Sequence, residues 1–455
     1  MTFQPAKMYR SLRTQSQFLL SSSDTLEVAV DVRKIGPIVE IELDRDILKL
    51  GYPELKTDAA FVAASLEKLS DCDLFGTMVV KIDPSNDSVA AALCLEVAGA
   101  VNDICSGEAG WWGLIDPNLM ACFFPGKNDW ACQKKAQALR KSLWKITDAT
   151  VSIGIASYPT AAFARDQVLP NACKALDHAG FFGPDSQVIF DDISLNISGD
   201  HLFQKGDIPA AMEEFASALL LEPANVNVRN SLGVCHSLLG NFDRALVEFE
   251  TAVKLAPTEF MAPYNLGLVH VLMGNRPQAL AHFLEAYRLR GDVFEVTLQA
   301  GRMYLEMGEF GQGVAYLEKA LRLNPTALAH RLMGDCHAAM GRPEEAISAY
   351  KQAVKQNPND AAALSALGLL YEDKGENPEI TSLFCEKSVE ISPLEGIYRH
   401  RLGELYLKQG RLEDALKAFQ SAAELGHDSS RYIEEIQNRL AIAEDQGVEQ
   451  PVPVQ

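Results

Sequence analysis

The chain lacks any stretch approaching the roughly 20 apolar residues that a bilayer-spanning helix requires. Near its start, Lys7, Arg10 and Arg13 precede only the short apolar run Phe18-Leu19-Leu20, which Ser21-Ser22-Ser23-Asp24 closes. That run is too short for the core of a signal peptide. Positive charge is in the minority: 41 Lys and Arg face 61 Asp and Glu, for a net charge of −20. No basic run relieves that balance, which argues against duplex nucleic acid or an anionic membrane as partner. The nine cysteines form no CxxC, and the nine histidines form no HExxH or HxxxH pair. Dispersed cysteines in odd number read as reduced thiols in a cytoplasm rather than as a disulfide framework. We therefore expect a cytoplasmic protein with no membrane insertion, no nucleic acid partner, no metal and no cofactor.

What is present is ordinary globular composition, 47% hydrophobic and 22% charged over 455 residues, enough for two or three domains. From about 25 to 192 the pattern mixes strands and helices. Leu26, Val28, Val30 and Val32 alternate with polar or small residues, Gly36-Pro37 turns the chain, and Val39, Ile41 and Leu43 alternate again. This predicts a β-hairpin over 25–44, within a region ending at 57. A helix over 58–69 follows, then a buried strand at 77–83 and a helix over 87–105. Strands at 110–115 and 119–124 flank the turn Asp116-Pro117-Asn118. A helix over 128–146 places Lys134, Lys135, Arg140 and Lys141 on exposed faces. A strand at 150–156, a helix over 167–180 and a strand at 187–190 complete the series. The order β-α-β-β-α-β-α-β predicts an α/β sandwich with helices covering a sheet.

That order, together with the run Ala149-Thr150-Val151-Ser152-Ile153-Gly154-Ile155-Ala156-Ser157-Tyr158, resembles the diguanylate cyclase (GGDEF) family. Ala175-Leu176, Ala179-Gly180 and Val188-Ile189-Phe190 are similar to the family's following helix and last strand. The resemblance implies a nucleotidyl cyclase-like α/β sandwich over 58–192. The family's chemistry is missing, however. Its five signature positions hold Asp116, Pro117, Asn118, Leu119 and Met120, without the glycines and acidic residues that bind nucleotide and cation. Where the family carries an Asp-x-Asp pair, Lys81 replaces the first carboxylate and only Asp83 remains, and a lysine there repels Mg²⁺. Gly107 to Trp111 contains no arginine for a product-binding motif. Asp83 and Asp116 then read as two free surface carboxylates and the domain as catalytically inactive. The alternative is a regulator that binds GTP or cyclic di-GMP without turnover.

The second half repeats at an interval of 34. Leu232-Gly233, Gly240, Ala245, Phe249, Ala252 and Pro257 return as Leu266-Gly267, Gly274, Ala279, Phe283 and Ala286. A small-residue pattern at this period signals stacked helical pairs. It resembles the tetratricopeptide repeat family over 196–427, in seven units, and implies an all-α superhelix. Gly199, Phe215 and Pro223 mark the first unit; Gly301 and Pro325 the fourth; Gly334, Tyr350 and Pro358 the fifth; Gly403, Ala415 and Phe419 the seventh. The sixth begins with Leu367-Gly368 and Gly375, then slips by one residue through Asn377-Pro378. Residues 428–446 predict a capping helix, with Tyr432, Ile433, Ile436 and Leu440 along one stripe, and 447–455 a disordered tail.

Such arrays bind on the face built by the first helix of each repeat. The positions that line it in this resemblance are Asn227, Asn230, Val234, Leu238, Tyr264, Asn265, Leu268 and Leu272, followed by Glu295, Leu298, Arg302, Arg331 and Asp335. Asn265 matches a position that some relatives use on a peptide carboxylate, but the accompanying cations are absent. An apolar helix or extended segment fits the first stretch better, although Val234 and Leu268 equally suit core between repeats. His236, His270 and His337 recur at one repeat position where Tyr304, Tyr371 and Tyr406 otherwise stand. Repeats about 10 Å apart cannot bring two imidazoles to one metal, so these read as packing residues. The sequence thus predicts a scaffold or adaptor whose groove holds a protein segment, with the α/β domain as a second interaction or sensing module.

Overall fold

A computed structural model describes residue 43 and residues 45–83, 91–107, 109–146, 150–161 and 163–445. The hairpin expected at 25–44 (Leu43 apart), the first turn of the helix expected from 87, Ala149 and the 447–455 tail lie outside the described residues. The chain divides into two compact units, Met1–Val269 and His270–Gln455.

The first unit opens with α1 (Arg45–Gly51) and α2 (Asp58–Lys68), then β1 (Phe75–Ile82), α3 (Ala91–Ser106), β2 (Trp111–Asp116) and β3 (Leu119–Pro125). After these come α4 (Asp129–Leu143), β4 (Val151–Tyr158), α5 (Val168–Gly180) and β5 (Gln187–Ile189). The strands line up in the order β2-β3-β1-β4-β5. All neighbours are antiparallel except β4 and β5. β1 is central and buried along most of its length, as its near-continuous apolar sequence requires.

Alternation along the strands divides the interior into two layers. Met78, Val80, Ile82, Ile153 and Ile155 face α3 and α4, with Val97, Val101, Ala136 and Leu139 among the residues they meet. Phe75, Val79 and Ala156 face α2 and α5, in a core that includes Phe61, Ala172, Ala175 and Leu176. This second core does not stop at the sheet. It continues through Leu195, Phe215, Val228, Leu232 and Cys235, so the sheet and the helices that follow it share one apolar interior.

Two surface assignments change. Asp83 is not a free carboxylate: it is buried at 7% exposure. It accepts hydrogen bonds from Thr150 Oγ1 (2.7 Å), Ser152 Oγ (2.6 Å) and the Asp185 amide (2.7 Å). Arg140 is also drawn in, donating through Nε to Asp185 Oδ1 at 2.6 Å and further to the Asp185 carbonyl. Together they clasp the end of β1 to β4 and to the loop before β5. A buried carboxylate is accommodated there because protein donors take the place of water around it. Asp116, by contrast, is exposed.

Helical pairs follow: α6 (Asp192–Gln204) with α7 (Ile208–Leu221), and α8 (Val226–Leu238) with α9 (Phe242–Leu255), before α10 (Met261–Leu272). In the second unit, α11 (Arg276–Leu289) leads to α12 (Phe294–Glu306) paired with α13 (Phe310–Leu323). Next come α14 (Ala327–Ala339) with α15 (Pro343–Gln356), α16 (Ala361–Asp373) with α17 (Pro378–Ile391), and α18 (Gly396–Lys408) with α19 (Leu412–Glu424). The last helix, α20 (Ser430–Asp445), covers Ala415 and Phe419 with Ile436, and Tyr432 stacks on Phe419 at 4.7 Å.

The recurring residues follow from backbone geometry. Gly240 ends α8 at φ +74, and Gly206, Gly274, Gly308, Gly341, Gly375 and Gly410 occupy the same left-handed region. A side chain is strained there, so this position of the repeat selects glycine. Gly233 is required for a different reason: a Cβ on it would lie 2.6 Å from the Phe249 ring. The same ring-on-glycine contact within a pair recurs at Gly199 with Phe215, Gly334 with Tyr350 and Gly403 with Phe419, while Leu317 takes the place of the ring against Gly301. The slipped sixth unit obeys the same rule one residue later. Thr381, Cys385 and Ser388 are its buried small positions, and Cys385 Sγ takes the place of the ring against Gly368.

Candidate functional site

Sequence-expected groove residues divide sharply by exposure. Asn230, Val234, Tyr264, Asn265 and Leu268 are all buried at 3% exposure or less. Leu238 and Leu272, at the ends of their helices, are more than half exposed. Asn227 is half-buried. Apolar inner residues that were candidates for a groove are thus largely packed, and what remains reachable lies at the helix ends.

Asn230 is unusual within that set. It is fully buried, yet neither its amide nitrogen nor its amide oxygen is hydrogen bonded. A buried amide without a partner costs about 1–3 kcal/mol.

Arg302 and Arg331, in the second unit, are half-buried and already engaged. Arg302 Nε pairs with Glu306 at 3.0 Å, and Arg276 reaches the same carboxylate at 3.1 Å. Arg331 Nε lies 3.2 Å from Asp360 and its Nη1 3.6 Å from Asp335. Asp335 also accepts the Tyr350 hydroxyl at 2.7 Å, and burial pushes its carboxyl above the usual range. Each arginine belongs to its own neutralised network.

One accessible cavity in the first unit, of about 410 Å³, lies at the N-terminal ends of α6, α8 and α10. Its polar lining among the described residues is Asp192, Glu222, Glu259, Asn196, Asn225 and Asn227, with no basic residue in that set. Asn225 organises it. The Asn225 oxygen caps α8 by accepting the Val228 amide at 3.1 Å, and its nitrogen donates to Asp192 Oδ2 at 2.6 Å. The nearby cation, Arg229, is turned away onto Glu248 and the Pro223 carbonyl. Burial pushes the Asp192 carboxyl above its usual range against that hydrogen bond, and the negative charges of Asp191 and Glu222 add to the effect. Three helix N-termini, each equivalent to roughly half a positive charge, offset only part of three full negative charges. The cavity therefore suits a basic side chain flanked by amide or backbone groups.

Sequence reasoning found Asn227 but missed the carboxylates, which come from the turns before the first helices and from the first residue of α6. Their signal was an acid placed shortly before a repeat's first helix, as in Glu222-Pro223 and Glu259.

In the sheet layer, the signature positions form a tight turn whose Pro117 carbonyl accepts the Leu43 amide at 2.6 Å. Asp83, just past the end of β1, is engaged in its clasp. Among the described residues no three His, Cys, Asp or Glu side chains converge as metal ligands, and no helix is long and apolar enough to cross a membrane.

Family comparison bears on the helical pairs. One tetratricopeptide repeat model matches residues 304–370, and a second matches 198–260, 239–294 and 386–430. These are tetratricopeptide repeats. The matches begin at residue 198 and leave the sheet layer unassigned. Among solved structures, the chain is 20% identical to one in the APC/C hetero-tetramer Cut9–Hcn1, covering 47% of this chain and 43% of that one at a TM-score of 0.41. It is 23% identical to YrrB, described as a repeat protein with an unusual peptide-binding site, over 40% of this chain and 94% of that one at 0.36. A repeat protein from Parabacteroides merdae is 19% identical over 54% of this chain and 96% of its own, at 0.43. No curated relative matches the chain. Tetratricopeptide repeats imply a protein-interaction scaffold.

At the repeat position shared with Tyr304, Tyr371 and Tyr406, His236 is buried, and its Nδ1 has no hydrogen-bond partner. Burial holds its imidazole below the ordinary value, and the positive charge of Arg244 adds to the effect. The unfolded chain then binds more protons as pH falls through about 6.5, the ordinary histidine value, so acid favours unfolding. The stability held above that pH is lost as pH falls toward the depressed folded value. We expect the urea midpoint to drop between pH 7.5 and pH 5, and His236→Tyr to reduce that drop. Equal pH dependence in both proteins contradicts the assignment.

Proposed function

We propose that the repeats of the first unit hold a segment of a partner protein, with a basic side chain of that segment in the acidic cavity. The supporting observation is the cavity itself: three carboxylates and three asparagines, with no cation among its described lining residues, at the starts of the first helices. Leu238 supplies exposed apolar surface on α8, and Asn227 supplies an amide at the cavity wall. The second unit offers Arg302 and Arg331 only by exchange of their present ion pairs.

The sheet layer acts as a second interaction module in this reading, and no catalysis is assigned to it. Its likeness to a cyclase rests on the β4 sequence and on strand order, while the positions that would bind nucleotide and cation carry other residues. Nothing in the geometry of the 116–120 turn favours the alternative of nucleotide binding.

The test is affinity capture with the full chain as bait, followed by mass spectrometry. Glu222 and Glu259 are exposed, so Glu222→Lys with Glu259→Lys leaves folding intact. The double variant is expected to lower recovery of the partner at least tenfold, about 1.4 kcal/mol of binding. Unchanged recovery overturns the proposal.

A further inference from the structure

The outer face of α4 reverses the charge of the chain. Over residues 127–145 six cations stand against one carboxylate, Asp129, in a chain whose net charge is −20. Arg140 is held in the clasp with Asp185. Lys134, Lys141 and Lys145 are exposed, in register with Trp130 and Trp144 on one helical face. Trp144 keeps helical backbone at the cap of α4, so the face continues through it. These two tryptophans are 60% and 66% exposed. The other two, Trp111 and Trp112, are half-buried and donate their ring N–H groups to Ser65 and Asn102.

Beside that face, α3 and α4 leave a groove. A cavity of about 550 Å³ in it has Ile104, Ala131, Ala138 and Trp130 in its lining, and the charges in its described lining are Lys127, Lys134, Lys135 and Asp103. A second, of about 420 Å³, shares Asp103, Ile104 and Ala138 and reaches Glu96 and the exposed Ile146. Positive charge thus lies along α4 and negative charge along α3. Lys134 Nζ sits over the Trp130 ring at 3.5 Å, which holds in place a ring that borders the cavity.

We propose that this groove is a docking site for an acidic amphipathic segment of a partner protein. Its carboxylates lie on the row of Lys134, Lys141 and Lys145, and one bulky apolar side chain enters the cavity beside Trp130. The inference rests on the reading of the sheet layer as a second interaction module, and it gives that module a face and a partner chemistry. It is separate from the cavity of Asp192, Glu222 and Glu259, whose charge has the opposite sign.

Charge selects the occupant. The rest of the chain is more negative still, so an acidic segment is repelled elsewhere and drawn to this face. A second copy docking through the same face would set the lysine row against itself, and like charges oppose that pairing. A bilayer surface would meet the two tryptophans, but it is flat and leaves the recessed cavity unfilled. Single-stranded nucleic acid needs aromatic platforms close enough for successive bases. Fourteen residues separate Trp130 from Trp144, about 21 Å along the helix. Exposed ion pairs are individually weak. The anchor against Ile104, Ala131 and Trp130 therefore supplies most of the affinity, and the lysines supply orientation and on-rate.

The experiment uses the full chain and a fluorescein-labelled synthetic helical peptide of Glu and Leu with a single Trp as anchor, followed by fluorescence anisotropy at low salt. The unaltered chain is expected to bind it. Lys134→Glu with Lys141→Glu is expected to weaken binding at least about tenfold, and Trp130→Ala about fivefold. Binding is expected to be lost in about 0.5 M NaCl and when Gln replaces every Glu of the peptide. A thermal melt of each variant establishes that the fold is retained. Absence of binding to the unaltered chain overturns the inference, and so does binding that ignores the α4 substitutions or the change to Gln. Tighter lysine-dependent binding of phosphatidylserine vesicles or of oligo(dT) than of the peptide overturns the choice of a protein partner. Glu222→Gln with Glu259→Gln is expected to leave peptide affinity within about twofold, as for sites that share no residue; loss of binding there contradicts the placement on α4. The outcome separates from the proposed function. If the peptide fails to bind while partner capture still depends on Glu222 and Glu259, the α4 site falls and the acidic cavity stands. If capture ignores those residues while the peptide still binds through α4, the cavity reading falls and the α4 site stands.

Discussion

Gly154→Ala is expected to destabilise the first unit by at least about 3 kcal/mol, the upper range for forcing extra volume into a packed core. Gly154 lies in the middle of β4, with its α-carbon facing α5. A Cβ placed there would sit 2.0 Å from the Ala172 carbonyl oxygen and 2.3 Å from the Leu176 amide nitrogen. Both are helix backbone, so no rotamer change relieves the clash. The helix must lift from the sheet, and the core that α5 shares with α6, α7 and α8 must open with it. Loss of structure should therefore extend past the sheet into the first repeats. Gly180→Ala, at the end of α5, is the control: nothing lies within 4 Å of its added carbon. Its stability is expected to stay within about 1 kcal/mol of the unaltered chain, since the change only trades backbone entropy for helix propensity. Chemical denaturation followed by circular dichroism distinguishes the two. A Gly154→Ala protein as stable as the control contradicts the described packing of β4 against α5.

Phe249→Ala carries the second large effect. The ring is completely buried and presses on Gly233, in the one position of the repeat where glycine leaves room for it. Its removal is expected to cost about 3–5 kcal/mol, the range for emptying a core phenylalanine site. The gap opens between α8 and α9, directly beneath the helix that carries Asn227 and Asn230. Partner capture should weaken with stability, because the cavity depends on the placement of α8. Filling the gap from the other side, with Gly233→Ala in the Phe249→Ala background, is expected to restore part of the loss, whereas Gly233→Ala alone destabilises. A double-mutant cycle measures this coupling, and strict additivity would show that the two positions do not touch.

The repeats were legible from sequence because their residue types answer to local geometry. A turn that needs a positive φ selects glycine at Gly240 and its equivalents, and a close helix–helix approach selects Gly233 opposite Phe249. The sixth unit was readable as an insertion, since Thr381, Cys385 and Ser388 keep the small-residue spacing one step late. The succession of strands and helices along the sheet layer was legible for a similar reason, through apolar runs and alternation. What was hidden depends on contacts between distant parts of the chain. Asp83 reads as a surface carboxylate until Thr150, Ser152 and Asp185 are seen around it. Tyr264 and Leu268 look like groove residues, because an apolar residue on an inner face has the same pattern whether it is exposed or packed. The cavity was the least legible feature. Its carboxylates come from the starts of three successive helical pairs, and none of them belongs to the repeat pattern that identifies those pairs.

The central claim is that a partner segment lies across the starts of α6, α8 and α10. Site-specific photocrosslinking tests it most directly. A photoreactive residue at Asn227 lies in the cavity wall, and one at Val247, exposed on α9, is the control outside the cavity. The account predicts partner crosslinks from position 227 that disappear with Glu222→Lys and Glu259→Lys, and none from 247. Crosslinks from 247 with none from 227, in a chain that still captures the partner, would contradict it.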